Sequence, residues 1–139
     1  MSNEVRIIHP HECDSSTAQT PGMFREEGIG ARTVGAQAIW VGHVTVDKGV
    51  RSGPHHHGEL ESAIYVISGH ARFRFGDNLE HVVEANAGDF VFVPPYIVHQ
   101  EINASGDEPV DMIVARSSQE NIVVNVSLPS RVANEDAEG

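Results

Sequence analysis

Three consecutive histidines, His55, His56 and His57, follow the turn Gly53-Pro54; Glu61 stands just beyond them, and His99 comes after Pro94-Pro95. Neutral imidazole is the commonest protein ligand for first-row transition ions, and three imidazoles with one carboxylate can hold one divalent ion while leaving positions open for a reactant. The chemistry this constellation offers is therefore chemistry at a metal. The run is internal, flanked by Ser52-Gly53-Pro54 and Gly58-Glu59, which sets it apart from a terminal tag.

Such side chains need strands to aim them. Residues two apart share a strand face, so His55 and His57 can point into an interior while His56 points away. By the same parity His99, Glu101 and Asn103 share a face. Glu101 is then either a group beside the metal or substrate, the tentative catalytic proton carrier, or a hydrogen-bonded carboxylate at the mouth of the interior. Ala71, Phe73 and Phe75 alternate with Arg72 and Arg74, the period-two signature of a sheet with one dry and one wet face, and the arginines are expected on the wet one. Further short runs, 39–46, 63–67, 80–84, 90–93, 98–102, 111–116 and 122–126, are separated by turn signals and contain no convincing helix. The pattern predicts an all-β sandwich or barrel with an apolar pocket drawn from Ile64, Val66, Phe73, Phe75, Phe90, Val91, Phe92, Val93, Ile97 and Val98, of which one parity of each strand, either one, faces inward. Trp40, Tyr65 and Tyr96 read as core or contact aromatics, and of the remaining histidines only His43 is placed where it could line that pocket.

Residues 49–69, GVRSGPHHHGELESAIYVISG, and 88–103, GDFVFVPPYIVHQEIN, resemble the two motifs of the cupins. Gly49, His55, His57, Gly69, Gly88, Pro94, His99 and Asn103 fall on the pattern. Tyr96 replaces a glycine, which should stiffen that turn. Seven residues instead of six separate Glu61 from Gly69, and strict counting back from Gly69 lands on Ser62. Glu61 is taken as the acid, with the extra residue absorbed as a bulge before Gly69, and Glu59 is the fallback. The resemblance implies a double-stranded β-helix, or jelly-roll barrel. It also implies metal ligands His55, His57, Glu61 and His99 around one divalent transition ion, whether iron, manganese, nickel, copper or zinc. Proteins with this ligand set include dioxygenases, decarboxylases, isomerases and lyases. The expectation is an enzyme, an oxidoreductase of dioxygenase type or an isomerase or lyase, acting on a small organic substrate chelated to the metal, with Glu101 or Glu61 as proton carrier. The competing reading is a non-catalytic small-molecule or sugar-binding sensor.

Composition bounds the rest. The 139 residues make one domain, with 1–36 read as a glycine-rich arm that could cross to a second subunit, 37–128 as the barrel and 129–139 as an acidic flexible tail. A formal charge of −11 disfavours nucleic acid and anionic membranes as partners, because both attract basic surfaces. No apolar run is long enough to span a bilayer, the N-terminus lacks the form of a signal peptide, and the single Cys13 cannot form an internal disulfide. A cytoplasmic homodimer that binds a small molecule is expected.

Overall fold

Alternation along the chain becomes alternation across two sheets. In Trp40–Val46 every second residue, from Trp40 through Val44 to Val46, is buried, and Val110–Arg116 follows the same rule with Val110, Met112, Val114 and Arg116 inward. A computed structural model describes residues 4–118 and 122–134. Its strands are β1 (Phe24–Ile29), β2 (Trp40–Val46), β3 (His55–His56), β4 (Ser62–Ser68), β5 (His70–Phe75), β6 (His81–Asn86), β7 (Phe90–Val93), β8 (His99–Asn103), β9 (Val110–Arg116) and β10 (Val124–Asn125). Two four-residue helices, α1 (Ala31–Val34) and α2 (Ser130–Ala133), complete it with a 3-10 turn at Pro10–Glu12.

One sheet runs in the order β1-β2-β9-β4-β7, the other β10-β3-β8-β5-β6, and the paired strands are antiparallel. Their inner faces enclose a core of Trp40, Val44, Val66, Phe73, Met112 and their neighbours. This is the expected all-β jelly roll. Gly42 is required by one of these packings, because a Cβ there would meet the Trp40 ring at 2.3 Å and the Glu26 carbonyl oxygen at 2.6 Å.

Three placements differ from the sequence reading. Residues 24–29, assigned to the arm, form β1 and pair with β2 in the barrel's own sheet. Arg74 is on the outer face yet buried, because α2 covers it: its guanidinium donates to the Val132 carbonyl at 2.8 Å and to Gln100 Oε1 at 3.2 Å. Residues 130–133 of the tail are thus held against the second sheet, and 135–139 lie outside the described residues. His43 faces outward, with Nε2 3.1 Å from Asp111 Oδ1, and does not line the interior. No helix among the described residues is long and apolar enough to cross a membrane.

Candidate metal centre

The histidine cluster follows from strand pairing. β3 and β8 are antiparallel neighbours with His55 directly opposite His99, which sets their ring centroids 4.3 Å apart. His57, two residues on from His55, turns to the same side, 5.1 Å from His55 and 5.2 Å from His99 by ring centroids. All three are buried, while His56 is only partly so. Among the described residues these three form the group whose donor atoms could hold one metal ion, lying within 4.8 Å of one another.

Their tautomers are fixed by the backbone. His55 Nδ1 lies 2.9 Å from the Gly53 carbonyl oxygen, His57 Nδ1 2.8 Å from that of Ile122, and His99 Nδ1 3.0 Å from that of Ile97. A carbonyl only accepts, so each Nδ1 must carry the hydrogen and each Nε2 a lone pair. The Nε2 atoms of His55 and His99 are buried and have no hydrogen-bond partner. Two orphaned buried acceptors beside a third ring nitrogen that faces only Arg116 are costly on their own account, and a metal ion is what would satisfy them. Burial also holds the His55 and His57 rings neutral, lowering the pKa of His55 to about 3 and that of His57 to about 2, with the Arg116 cation adding to the effect at His57. Arg116 Nη2 approaches His57 Nε2 at 3.5 Å while its guanidinium carbon stands 4.7 Å from the Trp40 ring centroid.

The carboxylates divide differently from the sequence expectation. Glu61, expected to complete the set, is exposed, and its backbone is tied to Ser117 by bonds of 3.2 Å in both directions. Alternation in β4 turns Ser62, Ile64 and Val66 inward, so residue 61 falls on the outer parity. A register irregularity does occur before Gly69, between Val66 and Ser68, but it lies beyond Ser62 and leaves that parity unchanged at the start of the strand. Glu59 is exposed as well. Glu101 goes inward: it is 3% exposed, with Oε2 3.4 Å from His55 Nε2 and Oε1 3.6 Å from His99 Nε2. Burial would raise the pKa of its carboxyl, and the Arg25 cation acts in the opposite direction. Its backbone N–H donates to Ser52 Oγ at 3.0 Å.

Sequence reasoning missed two participants, Arg25 and Arg116, and set Ser62 aside in favour of Glu61. Arg25 is fully buried on β1, donating to Thr20 Oγ1 at 2.8 Å. Ser62 is buried with an unpartnered Oγ and sits in register with Arg116 on one side and Val93 on the other. The motif count that lands on Ser62 is the signal that could have found it. Beside the cluster lies a cavity of about 290 Å³ lined by apolar groups including Phe73, Phe75, Val91, Val93 and Ile97, with His99 as its polar end.

Fold and site together define a small β-barrel with a metal-binding interior. Residues 42–116, more than half of the chain, match the cupin domain, and the protein belongs to the cupin family. Among solved structures it is similar to a conserved protein with a double-stranded beta-helix domain from Klebsiella pneumoniae, at 22% identity over 90% of this chain and 100% of that one, with a TM-score of 0.68. It is also similar to Bacillus subtilis oxalate decarboxylase, a protein described with Mn(II) centres, at 23% identity and TM-score 0.68; 82% of this chain is covered but only 32% of that one. Peruvianin-I, a cysteine peptidase from Thevetia peruviana latex, superposes as well, with a TM-score of 0.68, 17% identity and coverage of 78% and 69%. These likenesses share the fold across unrelated chemistries. No curated protein matches the sequence significantly.

Proposed function

We propose that this cupin is a metal-dependent enzyme acting on a small organic substrate, an enol, phenol or keto acid, bound to one divalent transition ion held by His55, His57 and His99. The observation that carries the reading is the set of three backbone-locked imidazoles whose donor atoms lie within 4.8 Å of one another, one of them, His99, at the polar end of an apolar cavity. When bound, the ion supplies Lewis acidity and a template for a chelating reactant, which suits oxidation of dioxygenase type, isomerisation or lyase chemistry. The protein's part is legible in its own atoms. Gly53, Ile122 and Ile97 orient the rings, while Phe73, Phe75 and Val93 exclude water from the reactant. Iron, manganese, nickel, copper and zinc all suit such donors, and the manganese of the oxalate decarboxylase neighbour favours that metal for the first trial.

A homodimer belongs to the same proposal. Tyr65 and Ile67 of β4 and Phe90 and Phe92 of the edge strand β7 are exposed, an apolar surface that a second copy would cover. Sedimentation of the untagged protein tests that part. Metal analysis of the same preparation, followed by oxygen-electrode and product assays on a panel of dicarbonyls, phenols and keto acids, tests the rest. Turnover that vanishes on chelation and returns with the ion is expected. A metal-loaded protein that is only stabilised by these compounds, without converting any, would make it a binding module instead.

A further inference from the structure

We infer that Glu101, carried by the second motif's strand, supplies the carboxylate donor to the ion, while the inward place in the first motif is held by Ser62 and does not ligate. The inference rests on the metal-binding reading above and concerns which side chain completes it.

Position decides first. The inward residue at the start of β4 is Ser62, which offers one short neutral hydroxyl, and the acid next to it, Glu61, is exposed and anchored through its backbone to Ser117. Glu101 is brought in by pairing on both flanks of β8: His55 opposes His99 across β3, and Phe73 opposes Glu101 across β5. Its N–H is held by Ser52 Oγ, so the carboxylate is set in place before any ion arrives.

Distance decides second. The Nδ1 hydrogens are committed to carbonyls, so the atoms facing Glu101 Oε2 and Oε1 at 3.4 and 3.6 Å are bare lone pairs, and neither contact is a hydrogen bond. Acceptors crowded together in a dry interior repel one another unless a positive centre lies between them. Nitrogen and oxygen donors around one ion, at bond lengths of about 2.0–2.2 Å, stand about 2.8–3.6 Å apart from octahedral to tetrahedral coordination, and coordination numbers above four leave places for a reactant. The separations of Oε2 from His55 and of Oε1 from His99 fall at the upper end of that interval. A consequence is that the donors come from β3, β8 and the residue following β3, all belonging to or adjoining one sheet, whereas the facing strand β4 contributes none.

The test uses the full chain, stripped with a chelator and titrated with cobalt(II) and manganese(II). Affinity is measured by competition, and the cobalt visible spectrum reports the donor set. Wild type should take up one ion. Glu101→Gln should bind at least about tenfold more weakly with an altered cobalt spectrum, Glu61→Gln and Glu59→Gln should match wild type in both, and the double variant Ser62→Glu/Glu101→Gln should recover affinity because it supplies a carboxylate from the opposite strand. Should Glu101→Gln fail to fold by circular dichroism, Glu101→Asp, which keeps the charge but withdraws it by one methylene, should still weaken binding and shift the spectrum. Wild-type affinity and spectrum in the folded Glu101 variant would overturn the inference while leaving the metal site standing. So would weakened binding with an unchanged spectrum and no recovery in the double variant, the outcome of a merely structural role. A wild type that binds no ion would sink the proposed function itself.

Discussion

At one end of the barrel β2, β9 and β4 turn Val44, Val46, Val66, Val110 and Met112 toward each other, with Val46 opposite Val110 and Met112 between Val44 and Val66. At the other end the same three strands turn in Trp40, Arg116 and Ser62, again in register, toward His55, His57 and His99. Alternation and burial are the same at both ends, and only the chemistry of the inward residue changes. Among the described residues the two left-handed non-glycine residues, Leu79 at φ 54° and Tyr96 at φ 62°, also fall at the histidine end, in the turn after β5 and the turn before β8. The contrast teaches that one end supplies cohesion, and that this cohesion lets the other end tolerate neutral buried imidazoles, buried arginines and backbone strain.

Separating the two ends experimentally begins with the largest effect. Met112→Ala should remove about 2–5 kcal/mol of stability by leaving a cavity in the apolar end, seen as a lower urea midpoint in metal-free and metal-loaded protein alike. Metal affinity of the folded fraction should stay within about twofold, since the site is distant from the cavity. A comparable loss of metal affinity would break the division. The reverse experiment is His57→Ala or His99→Ala, which should abolish tight metal binding by removing one imidazole. Metal-free melting should move less in these variants than in Met112→Ala, because each substitution also removes a costly buried polar ring.

Acid sharpens the same contrast. His55 and His57 have folded-state pKa values of about 3 and about 2, below the unfolded value of about 6.5, so below that pH the unfolded chain binds more protons than the folded one. Stability is therefore fully present above pH 6.5 and falls as pH drops toward 3, by up to about 1.4 kcal/mol per pH unit for each ring. Urea titrations of metal-free protein at pH 7, 6 and 5 should show the fall, and His57→Ala should flatten it. Curves that do not change with pH would mean that the rings are not held neutral by the fold. The smallest effect is expected at Tyr96→Gly. Left-handed backbone costs an L-residue about 1–2 kcal/mol and glycine returns about 0.5–1 kcal/mol of that through unfolded-state entropy, so a net gain of about 0.5–1 kcal/mol should appear in the urea midpoint.

Strands whose inward residues are apolar were legible in the sequence: 90–93 was read with the bounds the structure shows, and 39–46, 63–67 and 111–116 within a residue at each end. β1 was not, because its inward residues Arg25 and Glu27 are charged while Phe24 is half exposed, which inverts the hydrophobic alternation by which strands are recognised. The spacing of His55, His57 and His99 carried the imidazoles, since pairing of β3 with β8 needs only parity to bring them together. The carboxylate did not come with them. Residues 57–61 form an irregular link between β3 and β4, across which parity cannot be counted from the histidines, so the sequence could not decide between Glu61 and Ser62. Arg74 illustrates a third limit: its outward direction was read correctly, but its cover comes from Val132, far along the chain.

His57 depends on a carbonyl that arrives late. Its Nδ1 is paired with Ile122, and the neighbouring β10 zips onto β3 through Asn125 opposite His55 and Val124 opposite His56. During synthesis the ribosome releases both motifs before this stretch, so a nascent chain can assemble the sheet of β2, β9 and β4 while the His57 imidazole is still free to take either tautomer. A chain that ended before Ile122 would lack this carbonyl, and the His57 ring would lose the one backbone partner that fixes its tautomer.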